Sequence, residues 1–221
     1  MNSGKAQKAD LEWRDGALVS VRFDDPYFSL CDGLAETRHV FLGGNDLPAR
    51  FAEGFHIAEL GFGSGLNLLA AWKLWEEGGM TSVLRFTSFE AFPMDKGEMA
   101  KALAVWPELA EYAERLLAGG MQMRTDTLEL DVIVGDARET LPQWKGRADA
   151  WFLDGFSPAK NPELWSPEIM KAVGQHTAPS GTFATYTAAG HVRRALIDAG
   201  FKVTRPRGHG NKRHMSAGVL G

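Results

Sequence analysis

An α/β fold, with a mostly parallel sheet and helices on both faces, is what this sequence predicts, and three observations predict it. Strand-like and helix-like segments alternate from residue 55 to the end. A glycine-dense turn carrying Gly61, Gly63 and Gly65 joins the first of these strands to the first helix. The run 150–153 is apolar without alternation, as a strand buried on both faces must be.

In chain order, residues 18–23 followed by Asp24-Asp25-Pro26 suggest a small hairpin or cap. Residues 1–50 break the later rhythm and are expected to form an N-terminal extension packed on a core of residues 51–221. Phe55, Ile57, Ala58 and Leu60 make the first core strand, and 66–75 a helix. Residues 84–90 read as the second strand and 95–104 as a helix. Val105-Trp106-Pro107 breaks that helix because proline has no N–H to donate, and helical spacing resumes over 108–118. Residues 128–134, ended by Gly135-Asp136, make the third strand, 150–153 the fourth and 182–187 the fifth. A helix over 191–199 closes at Gly200, and 201–204 with 215–220 form two last strands around a basic loop at 205–213.

The length of 221 residues suits one domain with a well-buried core. No apolar run approaches the ~20 residues that cross a bilayer, and the first ten residues are polar, unlike a secretory leader, so the cytoplasm is the expected compartment. A single cysteine, Cys31, excludes an internal disulfide and a thiolate metal cage, and no metal site is expected. From His191 to Gly221 there are seven basic residues and one acid, a local charge of +6 that leaves −10 on the rest of a chain with net charge −4. Such a basic end either contacts phosphate or is a solvated tail.

The spacing of the glycine turn discriminates among cofactors. A dinucleotide site wants G-x-G-x-x-G, which would put glycine where Leu66 stands, and a phosphate loop wants G-K-[ST], where Leu66-Asn67 follows Gly65. The order found, Glu59 then Gly61, Gly63 and Gly65, resembles the first motif of class I S-adenosylmethionine (SAM) methyltransferases, in which the turn cradles the methionine part of SAM. The competing readings are a degenerate NAD site and a turn with no ligand. A closing strand pair after the fifth βα unit suits the seven-stranded, Rossmann-like methyltransferase sheet better than a six-stranded dinucleotide sheet.

Ligands of doubly wound folds sit beyond the carboxyl ends of the strands. Glu59 and the glycines end the first strand there, Glu90 the second, Asp136 the third and Asp154 the fourth. An acid at Glu90 can accept from both ribose hydroxyls and one at Asp136 from an adenine amino group, although either acid could instead cap a helix or solvate a loop. Asp154-Gly155-Phe156-Ser157-Pro158 is similar to the D-P-P-Y motif of amine and amide N-methyltransferases, with Gly155 and Phe156 in place of both prolines. An amine must be unprotonated and aligned to attack a sulfonium methyl. Asp154 could orient or deprotonate it, with Phe156 against a cation or a base. The plain alternative is a turn in which Asp154 bonds local amides.

Four stretches in order, 27–29, 32–42, 59–67 and 151–162, together resemble the methyltransferase domain of the MnmC family of bacterial tRNA wobble-uridine modification enzymes, and the resemblance runs from about residue 20 to the C-terminus. It implies SAM-dependent methylation of an aminomethyl group on C5 of the wobble uridine, in the tRNA anticodon loop. In bifunctional members a flavin-dependent oxidoreductase domain follows. This chain stops at Gly221, so the resemblance implies a stand-alone methyltransferase or a fragment, supplied by a separate oxidoreductase or another aminomethyl-forming pathway. Carried over, Glu59, Gly61, Gly63, Gly65, Glu90 and Asp136 would hold the cofactor, Tyr27 and Asn67 would line its methionine end, and Asp154 would handle the amine. Arg38 and His39 would reach the pocket or tRNA phosphate, or form a structural polar cluster, and Trp165 would pack. Arg193, Arg194, Arg205, Arg207, Lys212 and Arg213 would meet the phosphates of a loop whose target base is splayed out. Two other functions compete: a SAM enzyme acting on a small-molecule amine, and a nucleotide-binding Rossmann module that is no methyltransferase.

Overall fold

The computed structural model describes residues 8–14, 16–28 and 32–221. Ser29 and Cys31, used above for the resemblance and the disulfide argument, and the polar leading residues 1–7 lie outside the described residues. An N-terminal three-stranded sheet comprises β1 (Leu11–Arg14), β2 (Ala17–Ser20) and β3 (Asp25–Pro26). A short helix α1 (Gly33–Thr37) follows and runs into a wider π turn over Arg38–Leu42.

The main sheet is built from β4 (His56–Leu60), β5 (Leu84–Glu90), β6 (Gln122–Arg124), β7 (Leu128–Val134), β8 (Ala148–Leu153), β9 (Thr177–Thr185), β10 (Phe201–Thr204) and β11 (Ser216–Leu220). Their order across the sheet is β10-β11-β9-β8-β4-β5-β7-β6. The five central strands are parallel, while β6, β10 and β11 pair antiparallel. The chain winds outward from β4 through β5 to β7, then returns to lay β8 on the other side of β4. The crevice between β4 and β8 is therefore the switch point where such sheets bind ligands.

The helices are α2 (Leu66–Glu77), α3 (Lys96–Leu103), α4 (Ala110–Gly119), α5 (Ala137–Thr140), α6 (Pro167–Gln175) and α7 (Gly190–Asp198). Alternation along β8 separates two cores: Phe152 packs with Trp72, Trp75, Phe86 and Leu116 on one face, and Trp151 and Leu153 with Trp165, Phe183 and Val192 on the other. Leu34, Phe41 and Leu42 belong to the first of these cores. Asn45 fastens that segment to the sheet, its amide donating to the carbonyls of Phe41 (2.9 Å) and Trp151 (3.3 Å).

The strands expected at 84–90, 128–134 and 201–204 have those bounds. Among the described residues the sheet has eight strands where the sequence suggests seven, because β6 is an edge strand of three residues, too short to display a period. β9 begins at Thr177, ahead of the expected 182, through a polar stretch in which Ser180 takes a left-handed φ of 59°. Helix α6 was not expected, yet its start is written in the chain: Ser166 caps it through Ile169 N, and Pro167 occupies the first turn. Among the described residues no helix is long and apolar enough to cross a membrane.

Candidate active site

β4 delivers the chain into the glycine turn at the switch point. Gly61 and Gly65 have φ of 85° and 87°, a region that side chains other than glycine rarely enter. A Cβ on Gly61 would stand 3.2 Å from Gly155 Cα, so the turns after β4 and β8 touch backbone to backbone. Around them lies a cavity of about 680 Å³, within the range of small-molecule sites. Of the predicted residues, Tyr27, Gly61, Gly63, Asn67, Glu90, Asp136, Asp154 and Lys212 line this one cavity.

Two residues expected at the cofactor stand elsewhere. Gly65 starts α2 behind the wall, against Leu116 and Phe62. Glu59 is fully buried beneath the floor, where Oε1 accepts from Asn67 Nδ2 (2.9 Å) and Oε2 from Ser88 Oγ (2.7 Å). Strand alternation turns its side chain toward α2 rather than toward the strand tip. Burial pushes the Glu59 carboxyl well above its usual pKa, and nearby acids add to the effect.

Asn67 is the hub of the floor. Its amide also donates to Asp154 Oδ2 (2.8 Å), and its oxygen accepts from Thr37 Oγ1 (2.8 Å). Asp154 Oδ1 accepts from Gly155 N (2.8 Å). Burial raises the Asp154 pKa to about 6, against the pull of those two donors toward the charged form. A carboxylate of this kind accepts a proton more readily than an exposed one.

Glu90 bridges two turns, accepting from Gly63 N (3.0 Å) and Phe92 N (2.7 Å). Burial raises its pKa while the backbone donors oppose the rise. Asp136 accepts from Arg138 N (2.9 Å) as the cap of α5 and pairs with that guanidinium (2.6 Å), which holds its carboxyl below the usual range. The capping alternative for Asp136 is thus what the structure shows, at a position that still faces the cavity.

The basic residues divide. Lys212 turns inward and pairs with Glu36 (2.5 Å), whereas Arg193, Arg194, Arg205, Arg207 and Arg213 do not line the cavity. Arg193 is half-buried and donates to the Ala188 carbonyl (2.8 Å); the other four are exposed. Arg38 pairs with Glu108 (3.0 Å), and His39 Nε2 meets the Arg207 carbonyl (2.8 Å); neither residue lines the cavity. Trp165 is buried and donates to the Phe156 carbonyl (2.8 Å), a packing role.

Sequence reasoning missed Phe23, Glu36, Thr37 and Tyr186, which also line the cavity. Tyr186 follows β9, so the strand-end rule applied once more would have found it. Glu36 stands in the 32–42 stretch that carries the resemblance, though nothing local marks its role, and nothing local marks that of Phe23. Phe23 stacks on Phe156 (4.5 Å between ring centroids) and Asp25 accepts from Ser157 N (2.7 Å), tying the N-terminal segment to the loop after β8.

Residues 98–221 match a family described as S-adenosyl-L-methionine-dependent methyltransferase. The chain belongs to that family. This excludes the reading as a nucleotide-binding module of another class. Over an alignment of 227 positions that covers 96% of its length, the methyltransferase is 44% identical to the tRNA 5-methylaminomethyl-2-thiouridine biosynthesis bifunctional protein MnmC of Chromobacterium violaceum, and over 229 positions it is 45% identical to that of Pseudomonas aeruginosa. It spans about a third of the length of these curated relatives (34% and 35%). A solved structure, MNMC2 from Aquifex aeolicus, superposes with a TM-score of 0.80 at 28% identity, covering 99% of this chain and 72% of that one. Spermidine synthase from Thermotoga maritima shares the fold alone, with a TM-score of 0.58 at 12% identity over 98% of this chain and 70% of its own.

The residues fit SAM. Side chains at Gly61 and Gly63 would crowd the approach to the turn, a Cβ at Gly63 standing 3.3 Å from the Tyr27 ring. Glu90, one strand over, supplies a carboxylate on the same cavity, and the volume accommodates a nucleoside. Among the described residues no cluster of His, Cys, Asp and Glu is arranged to hold a metal ion.

Proposed function

We propose that this methyltransferase domain methylates the amino nitrogen of a 5-aminomethyl group on the wobble uridine of tRNA, giving 5-methylaminomethyluridine. One observation carries the reading: the glycine turn, Glu90 and Asp154 open onto a single cavity at the sheet's switch point. The names of the relatives, which concern tRNA 5-methylaminomethyl-2-thiouridine biosynthesis, supply the acceptor.

When bound, SAM supplies a methyl group on a cationic sulfur. Gly61 and Gly63 would admit its methionine end between Tyr27 and Asn67, Glu90 would accept from its ribose hydroxyls, and Asp136 would lie beside its adenine. The acceptor arrives at neutral pH largely as an ammonium, whose nitrogen has no lone pair to attack with. Asp154, held by Asn67 and Gly155 N, takes the proton, and its raised pKa suits the task. Phe23, Tyr27 and Phe156 shield the site from water and fix the nitrogen's approach, which alignment within ~3–3.5 Å requires.

Arg205, Arg207 and Arg213 lie exposed on the loop that carries Lys212 into the cavity, and Arg194 lies exposed on α7, which favours an RNA backbone as the partner. The aminomethyl group would come from a separate oxidoreductase or another upstream pathway, and the cytoplasm is where these partners would meet. Incubation with methyl-labelled SAM and tRNA from cells lacking this activity, followed by nucleoside analysis, tests the proposal. Label is expected in 5-methylaminomethyluridine; label in a free small amine with none in tRNA would overturn it.

A further inference from the structure

Lys212 and Glu36 are foreign to the donor site, yet both line its cavity. The Lys212 ammonium sits 2.5 Å from Glu36 Oε1 and 4.6 Å from the centre of the Tyr186 ring. A carboxylate and an aromatic face are the two partners that an alkylammonium ion seeks when it leaves water. The two sides of the pair differ in burial: the Glu36 side chain is 15% exposed and that of Lys212 48%. The Tyr186 ring is anchored by its hydroxyl, which donates to the Gly155 carbonyl (2.8 Å), so it stands beside Asp154. The charges of Glu36 and Lys212 are both felt at Asp154, with opposite sign. The cation comes from the 205–215 loop, fastened here by the Lys212–Glu36 pair and the His39 contact to the Arg207 carbonyl.

We propose that Glu36 and the face of Tyr186 form the seat for the ammonium group of the methyl acceptor, and that Lys212 occupies this seat until the acceptor replaces it. Lys212 is itself a primary ammonium on a flexible methylene stem, the chemical class of the acceptor. Its displacement leaves the cavity's charge balance unchanged, because one cation replaces another. The acceptor's nitrogen then stands on the wall shared with Asp154, where it loses its proton. The seat thus selects primary and secondary alkylammonium groups over neutral hydroxyl or amide acceptors.

This inference rests on the function proposed above, and steady-state transfer to tRNA carrying 5-aminomethyluridine separates the two. Glu36→Gln is expected to raise KM for that tRNA about tenfold while kcat falls less, since it removes a charge-assisted contact. Tyr186→Leu removes the ring face and is expected to raise KM several-fold, giving a second route should Glu36→Gln fold poorly. Lys212→Met is expected to lower KM about threefold, since the acceptor no longer displaces a resident cation. Stabilisation by S-adenosylhomocysteine, measured on each variant, reports an intact fold and donor site. The seat is overturned if Glu36→Gln and Tyr186→Leu retain the wild-type KM. It is also overturned if Lys212→Met raises KM and flattens its salt dependence, the mark of a lost phosphate contact. No transfer by the wild type would remove function and seat together.

Discussion

The cavity has two walls of different construction. One is made by the turns after β4, β5, β7 and β8, and its acids are held by backbone N–H groups of those turns: Glu90 by Gly63 and Phe92, Asp136 by Arg138, Asp154 by Gly155. The other is made by residues 22–28 and 32–37 together with the chain beyond β8, β9 and β10. It is joined largely by side chains far apart in sequence, such as Phe23 on Phe156, Lys160 on Asp24 and Lys212 on Glu36. The first wall inherits its geometry from a parallel sheet and a few glycines. The second depends on pairwise contacts, each of which is worth little at a surface. In the proposed function the first wall takes the donor, whose shape is constant, and the second takes the acceptor, where specificity resides.

The largest effect should come where the walls meet. Asp154→Asn should lower kcat by about 10²–10⁴-fold, with S-adenosylhomocysteine binding nearly intact, as loss of a general base does. In the wild type the rate should fall as pH drops through about 6, because protonated Asp154 accepts nothing; a pH profile of kcat/KM checks this. Next, Glu90→Ala should weaken S-adenosylhomocysteine binding by about 10–100-fold in calorimetry, through loss of the carboxylate that joins two turns of the first wall. Unchanged affinity would remove Glu90 from the site.

A third test reaches beyond both walls. Replacing Arg205, Arg207 and Arg213 together by Ala should reduce tRNA affinity about tenfold at moderate salt and flatten its salt dependence, leaving donor binding alone. On the second wall, Phe23→Ala should cost about 0.5–1.5 kcal/mol of stability through the lost stack, read by thermal melting, and raise KM for tRNA more than it alters donor affinity. The smallest effect is under the floor. Glu59 has a raised folded pKa, so its contribution to stability is present below its unfolded pKa and is lost as pH rises through the folded one. Glu59→Gln keeps the bond from Asn67 and can donate to Ser88. Its Tm should match the wild type near pH 4.5 and exceed it by a few degrees at pH 8.

The first wall was legible and the second was not, for a reason visible in individual residues. Glu90, Asp136 and Asp154 could be found because a strand read from its apolar run has an end, and ligands gather at such ends. The same rule misassigned Glu59, since it tells where a strand stops but not which face a side chain takes one residue earlier. Asn67 was placed near the methionine end by resemblance, while its role as the link between Glu59 and Asp154 needed coordinates. Glu36 lies in the 32–42 stretch that carries the resemblance, but nothing local told where it, Phe23 or Lys212 would face.

By itself the sequence determined the alternation of strands and helices, the glycine turn and the acids at successive strand tips, because these follow from local backbone preference and from burial patterns of period two and 3.6. Only the tertiary structure decided which distant segments close the cavity, that Glu59 lies under its floor, and that a lysine from the last loop faces a glutamate from the first helix. The first and last of these depend on packing between elements separated by more than a hundred residues, and the place of Glu59 on contacts to Asn67 and Ser88 from two other elements, which no short stretch of chain encodes.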